Sequence, residues 1–203
     1  MKRVLVALLI GVLLLSMCGC ANKKEKAMEQ TVSAFMEALR VYDREQMTAL
    51  LSEFPDKTPY VYYDDIFNDT QYMEMYRILF ADLTYSVVKV EDGHLAVSVT
   101  MPNVQKLYSD ISAMVLNMAL EDEALLTKLS ENDENASILV REMMLAYAKN
   151  GYEMEQITEE FTLSFATKEG KSVLLCDDAL RALMTGNFFL AKNDTQAEIH
   201  SAD

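Results

Sequence analysis

Two stretches of strictly alternating apolar residues lie far apart in the chain, and each is followed by a turn signal and a return. In the first, Leu83, Tyr85 and Val87 alternate, Asp92-Gly93 turns, and Leu95, Val97, Val99 and Met101 come back as far as Pro102. In the second, Phe161, Leu163 and Phe165 alternate, Lys168-Glu169-Gly170-Lys171 turns, and residues 172–176 return. A period of two marks a strand with one buried face, and Asp-Gly between such runs is a strong hairpin signal. A lone hairpin is marginal in water. Both must therefore bury their apolar faces, and the economical solution is one antiparallel sheet built from the two hairpins.

The rest of the pattern is helical. Met28, Val32, Phe35 and Leu39 recur at steps of three and four, predicting a helix from about Lys26 to Tyr42 whose stripe can cover the Val97/Val99 and Leu163/Phe165 faces. Asp43 with Gln46 three residues on resembles a capping box and opens a short helix carrying Met47, Leu50 and Leu51, which Pro55 and Pro59 stop. Residues 56–68 read as an irregular loop. Asp69 can cap a third helix over about 70–81, with Tyr72, Met75, Tyr76 and Leu79 on one side. Two helices, about 103–129 and 136–149, fall between the hairpins, separated by the acidic run Ser130 to Asn135. Asp177 or Asp178 caps a last helix that Gly186 ends. Helices first, then two separated hairpins, is an α+β arrangement.

The N-terminus reads as an address. Lys2 and Arg3 precede an apolar run from Val4 to Leu15, and Ser16-Met17-Cys18-Gly19-Cys20 follows. A charged start, a short apolar core and small residues at the cleavage point make a secretory signal, expected over residues 1–19. The run is shorter than the roughly 20 residues that a membrane-spanning helix needs. Gly19-Cys20 resembles the lipobox of bacterial lipoproteins, in which a small residue precedes the modified cysteine. The resemblance implies that Cys20 becomes the acylated first residue, carrying palmitate-type chains. Cys18 is the rival: its aliphatic position fits better, but Met17 is bulky where a small residue is expected. Residues 20–26 then form a short lysine-bearing tether, residues 27–190 a single domain, and residues 191–203 a polar disordered tail. The expected location is the extracytoplasmic face of the cell membrane, with membrane lipid as one partner through Cys20.

Composition narrows the function classes. Thirty-two acids against 18 bases give a formal charge of −14. Loss of Lys2 and Arg3 with the signal, and of no acid, takes it to −16, which offers no footprint for nucleic acid. With Cys18 removed and Cys20 acylated, Cys176 alone remains, so no internal disulfide or thiolate metal site is expected. The run Ser130 to Asn135 offers oxygens but not the spacing of a calcium loop, and no metal is expected.

A resemblance sharpens the fold. The opening Val32-Ser33-Ala34-Phe35-Met36-Glu37-Ala38-Leu39, followed by Tyr42-Asp43-Arg44-Glu45-Gln46-Met47, resembles that of small extracytoplasmic lipoproteins with a nuclear-transport-factor-2-like (cystatin-like) domain. The ending Asp178-Ala179-Leu180-Arg181-Ala182-Leu183-Met184-Thr185-Gly186-Asn187 is similar to the closing helix of lipoproteins of Gram-positive bacteria. The resemblance covers about residues 26–188 and implies N-terminal helices packed in the concavity of a curved sheet. The two helices between the hairpins depart from the simple form and read as an insertion. The family implies no single function.

No motif for a reaction stands out. His94 and His200 are the only histidines, the glycines are scattered singly, and Cys176 falls in a predicted strand. No catalytic residue and no cofactor are expected. Tyr60, Tyr62, Tyr63, Tyr72 and Tyr76, near Asp64 and Asp65, are the candidate ligand-binding residues. The reading is a non-enzymatic module that binds a small ligand or a protein. The alternative is a small lyase or isomerase, since a Tyr donor beside a carboxylate in an apolar cone can move protons, as in some members of this fold.

Overall fold

A computed structural model describes residues 23–52, 69–91 and 93–188 of the chain. Among these residues are seven helices and one four-stranded antiparallel sheet of order β1-β2-β3-β4, an α+β architecture. In chain order the elements are α1 (23–40), α2 (Arg44–Ala49), α3 (Thr70–Leu79), β1 (Thr84–Glu91) and β2 (His94–Pro102). There follow α4 (Val104–Glu121), α5 (Glu123–Ser130), α6 (Asp133–Lys149), β3 (Gln156–Lys168), β4 (Lys171–Leu174) and α7 (Asp178–Thr185).

Helix α1 buries the stripe its spacing predicts: Met28, Val32, Phe35, Met36 and Leu39 are all at most 1% exposed. It starts earlier than expected, so Lys23 to Lys26, read as tether, are exposed helical residues. It also ends two residues earlier, because Tyr42 takes a left-handed conformation with φ 50°. Tyr42 N–H then donates to Leu39 O at 3.1 Å and Asp43 N–H to Ala38 O at 2.9 Å, a Schellman closure made without glycine. Asp43 opens α2 in the same step. Its carboxylate accepts the Gln46 backbone N–H at 3.0 Å and the Gln46 side-chain amide at 2.8 Å. The Gln46 amide thus reaches the capping carboxylate, where in a capping box it would reach the Asp43 backbone N–H.

Three helices, not two, separate β2 from β3 in the chain. The expected helix 103–129 breaks at Asp122, whose carboxylate accepts the N–H groups of Ala124 and Leu125 at 2.9 and 3.2 Å and starts α5. An Asp that can bond the backbone just ahead of it competes with helix continuation. The acidic run expected to be a loop mostly is not one. Asn132 caps α6 by accepting Glu134 N–H, and 133–135 form its first turn.

In the sheet, Leu95, Val97, Val99 and Met101 are fully buried and alternate with exposed or half-buried His94, Ala96, Ser98 and Thr100. Across the β2–β3 ladder Leu95 faces Leu163 and Val97 faces Phe161. Strand β1 departs from its expected alternation. Its register against β2 slips between Val87 and Lys89, leaving Val88 as a bulge. The extra residue shifts the alternation by one, so Val90 and not Lys89 falls opposite buried Leu95. Val87 and Val88 are 41% and 53% exposed and Val90 is half-buried. At the other edge, Leu51 bridges Leu174 in parallel, with Ser52 N–H donating to Leu174 O at 2.8 Å.

The inner sheet face, the α1 stripe, α3, the first half of α4, α6 and α7 share one apolar cluster. Helix α6 packs on both α3 and α4. Helix α7 ends at Gly186 with φ 57°, where Asn187 N–H returns to Ala182 O at 2.9 Å.

Candidate functional site

Of the five candidate tyrosines, Tyr72 and Tyr76 lie among the described residues. Tyr60, Tyr62 and Tyr63, with Asp64 and Asp65, fall outside them, as does Cys20. Tyr72 and Tyr76 sit one turn apart on α3, yet they serve different ends.

Tyr76 is fully buried. Its ring stacks on Tyr42 at 5.1 Å with planes 15° apart, and Phe80 tilts against it at 5.5 Å. Its hydroxyl donates to Thr185 O at 3.4 Å. Burial pushes its pKa well above the usual tyrosine range, with Tyr42 and Tyr72 adding to the rise. It is a neutral core residue that reaches no open surface. The signal was present in the sequence, since Met75, Tyr76 and Leu79 recur at helical core spacing.

Tyr72 is half-buried at the start of α3. Asp69 caps the helix, accepting Gln71 N–H at 2.8 Å and Tyr72 N–H at 3.2 Å on one carboxylate oxygen. The other oxygen receives Arg141 Nη1 of α6 at 2.6 Å. The Arg141 guanidinium also lies 5.3 Å from the centre of the Tyr72 ring, within cation–π reach. Tyr108 of α4 and Phe188 close the other side, in edge contact at 5.0 Å. Burial raises the pKa of Tyr72, the Arg141 charge opposes the rise, and Asp69 and Tyr108 add to it. The Arg141 side chain also hydrogen-bonds to the Tyr72 hydroxyl, a smaller effect that lowers the pKa. Asp69 and Arg141 are 72 residues apart, and no sequence signal joins them.

The space these side chains enclose, lined also by Ser137, Val140 and Met144, is about 20 Å³. That is the scale of one water molecule and far below the roughly 300–1,000 Å³ of small-molecule pockets. Arg141 Nε is buried beside it with no partner among the described residues. A wider depression of about 960 Å³ runs between the end of α1 and α3, past Glu37, Arg40, Met73, Glu74 and Arg77. It is an open groove of mixed charge. Its Arg40 is already engaged, donating from Nε to Leu83 O at 2.7 Å.

The remaining reactive groups are dispersed. His94 is exposed on the outer sheet face, with Nδ1 3.3 Å from Ser164 Oγ of the neighbouring strand. Cys176 is buried, and burial pushes its thiol pKa up. Among the described residues no group of three His, Cys, Asp or Glu side chains could hold a metal ion. No family model matches the chain, and neither the curated proteins nor the solved structures contain a match to it.

Proposed function

We propose that this chain is an exported lipoprotein, held on the extracytoplasmic face of the cell membrane by an acylated Cys20, whose domain is a non-enzymatic binding module. The Lys2-Arg3 start, the Val4 to Leu15 run and Gly19-Cys20 support the anchor. Among the described residues no helix is long and apolar enough to cross a membrane. On this reading the domain is of the nuclear-transport-factor-2-like kind. Its N-terminal helices lie in the concavity of a curved sheet of two hairpins, and the helices between them are an elaboration.

The observation that carries binding over catalysis is the Tyr42–Tyr76 stack. A pocket enzyme of this architecture would need an open apolar cone between helices and sheet. In the core, the Tyr42 and Tyr76 rings pack on each other with both hydroxyls bonded to backbone carbonyls, which supports a filled interior. The lyase or isomerase reading would have to rest on Tyr72, beside a space with no room for a substrate.

Metabolic labelling with a fatty-acid analogue tests the anchor. Wild type and Cys18→Ala should take up label, and Cys20→Ala should not. Undiminished label on Cys20→Ala would move the site to Cys18, and no label on wild type would end the lipoprotein reading.

A further inference from the structure

Both hairpin turns and the N-terminal turns of α1 lie at one end of the molecule. Strand β1 runs toward the turn at Gly93, β2 runs away from it, and β3 runs back again. Ser164 of β3 sits opposite His94, and the strand continues past it to Lys168, which pairs with Lys171 across the second turn. Helix α1 touches both hairpins. Lys24 Nζ lies 3.6 Å from where a Cβ on Gly93 would be. Two turns further along the same helix face, Thr31 Oγ1 donates to Ser172 O at 3.1 Å, one residue from Lys171. Two helical turns are only about 10 Å. Lysines from stretches of chain that are 141 residues apart at the Thr31–Ser172 contact are thus neighbours on one surface.

This end carries a positive excess in a chain of 32 acids and 18 bases. Lys23, Lys24, Lys26, Lys168 and Lys171 are all exposed there. The acids of the same stretches are Glu25, Asp92 and Glu169, while Lys89 and Glu91 pair with each other. None of the five lysines is in an ion pair among the described residues, whereas Arg40, Lys106, Arg141, Lys149 and Arg181 are. The fold alone disfavours their positions. Lys168 stands directly opposite Lys171, and like charges so placed repel. With Cys20 as first residue, the other three fall in the opening turns of α1, where the helix dipole favours acids. An anionic surface relieves both conflicts together. Cys20 precedes Lys23 by three residues, which reach at most about 11 Å, so its acyl chains would enter the bilayer beside this end. We propose that this end is the membrane face of the domain, with the five lysines on anionic phospholipid head groups and the Pro102 end of the sheet directed outward. This rests on the lipoprotein reading and adds how the domain stands on its bilayer.

Reductive methylation with carbon-13 formaldehyde keeps every lysine charged and gives each a resonance of its own. The acylated mature chain is placed in nanodiscs of phosphatidylcholine, with or without phosphatidylglycerol, that carry a gadolinium-chelating lipid to broaden nearby signals. Lys168 and Lys171 should broaden strongly only where phosphatidylglycerol is present, and Lys106 and Lys149, at the start of α4 and the end of α6, in neither disc. Lys23→Gln, Lys24→Gln and Lys26→Gln together should sharpen Lys168 and Lys171, the ratio of docked to free domain falling about fivefold for each lysine neutralised. Lys168→Gln, read at Lys171, is the second variant. Unchanged methyl resonances of buried Met36 and Met47 show that each is folded. Equal broadening of Lys168 and Lys171 in both discs overturns the proposal, as does equal broadening of all four lysines or indifference to the substitutions. So does loss of the broadening on adding inorganic phosphate at constant ionic strength, which assigns the lysines to a free anion. Acylated protein that enters the discs and fails these tests sinks this inference alone. Protein that carries no acyl chain and stays out of both discs sinks the anchor.

Discussion

Tyr42 and Tyr76 stack at 5.1 Å and donate their hydroxyls to consecutive carbonyls, Met184 O at 3.3 Å and Thr185 O at 3.4 Å. The last carbonyls of a helix have no partner within it. Two rings from separate stretches of chain, one at the α1–α2 junction and one in α3, thus finish the end of α7.

This pair makes stability sensitive to alkali. Burial raises both tyrosine pKa values above the ordinary value of about 10. Above that pH the unfolded chain sheds these protons while the folded chain keeps them. Their contribution is then full below pH about 10 and falls by up to roughly 1.4 kcal/mol per pH unit for each ring. Urea unfolding between neutral pH and pH about 11 should show this decline. Tyr76→Phe should remove about half of the pair's share of the slope. A slope unchanged by that substitution would contradict the assignment.

Gly186 is held by its neighbours as well as by its backbone. It takes φ 57°, and a Cβ there would lie 2.6 Å from Val104 Cγ2. Gly186→Ala should cost about 2 kcal/mol or more, from left-handed strain and overpacking together. Adding Val104→Ala should cost less in that background than in wild type. Strict additivity in a double-mutant cycle would mean that the two residues do not clash.

Phe35 is fully buried in the cluster that also holds Val97, Val99 and Leu163. Phe35→Ala should cost roughly 3–5 kcal/mol in denaturant melting. A loss under about 1 kcal/mol, well below the core-truncation range, would exclude it from the core.

Asp69 does two jobs that substitution can separate. Asp69→Asn keeps an acceptor for the α3 N-terminus and loses the charge facing Arg141. Asp69→Ala loses both and should cost about 1 kcal/mol more. The pair is only about a quarter exposed at 23% and 26%, so its coupling in a cycle with Arg141→Met should reach about 1 kcal/mol, the top of the range for solvent-facing pairs. Zero coupling would make Arg141 a packing residue only.

How far the sequence was legible depended on whether one local rule acted alone. In β2 alternation met no competitor, and Leu95, Val97, Val99 and Met101 are buried as read. The α1 stripe held for the same reason. At Asp122 two rules competed inside one apolar period, and the short-range capping bond won over helix continuation. In β1 one extra residue, Val88, shifts the alternation by one and puts Val90 opposite Leu95, which strict alternation could not show. The tyrosines were grouped by proximity in sequence, but a helix separates Tyr72 from Tyr76 by depth. The partners of Tyr72 come from α4 and α6, which only tertiary packing brings near.

The Val88 bulge has a consequence for crowding. β1 is an outer strand of the sheet, and its far side carries no strand partner among the described residues. A straight apolar edge invites the edge of a neighbouring molecule and then the next, growing a ribbon. Here the register breaks halfway along, and Lys89 and Glu91 pair with each other just past the break. A second strand could match one half of this edge or the other, not both. Copies held shoulder to shoulder can collide there often without zipping into a fibre.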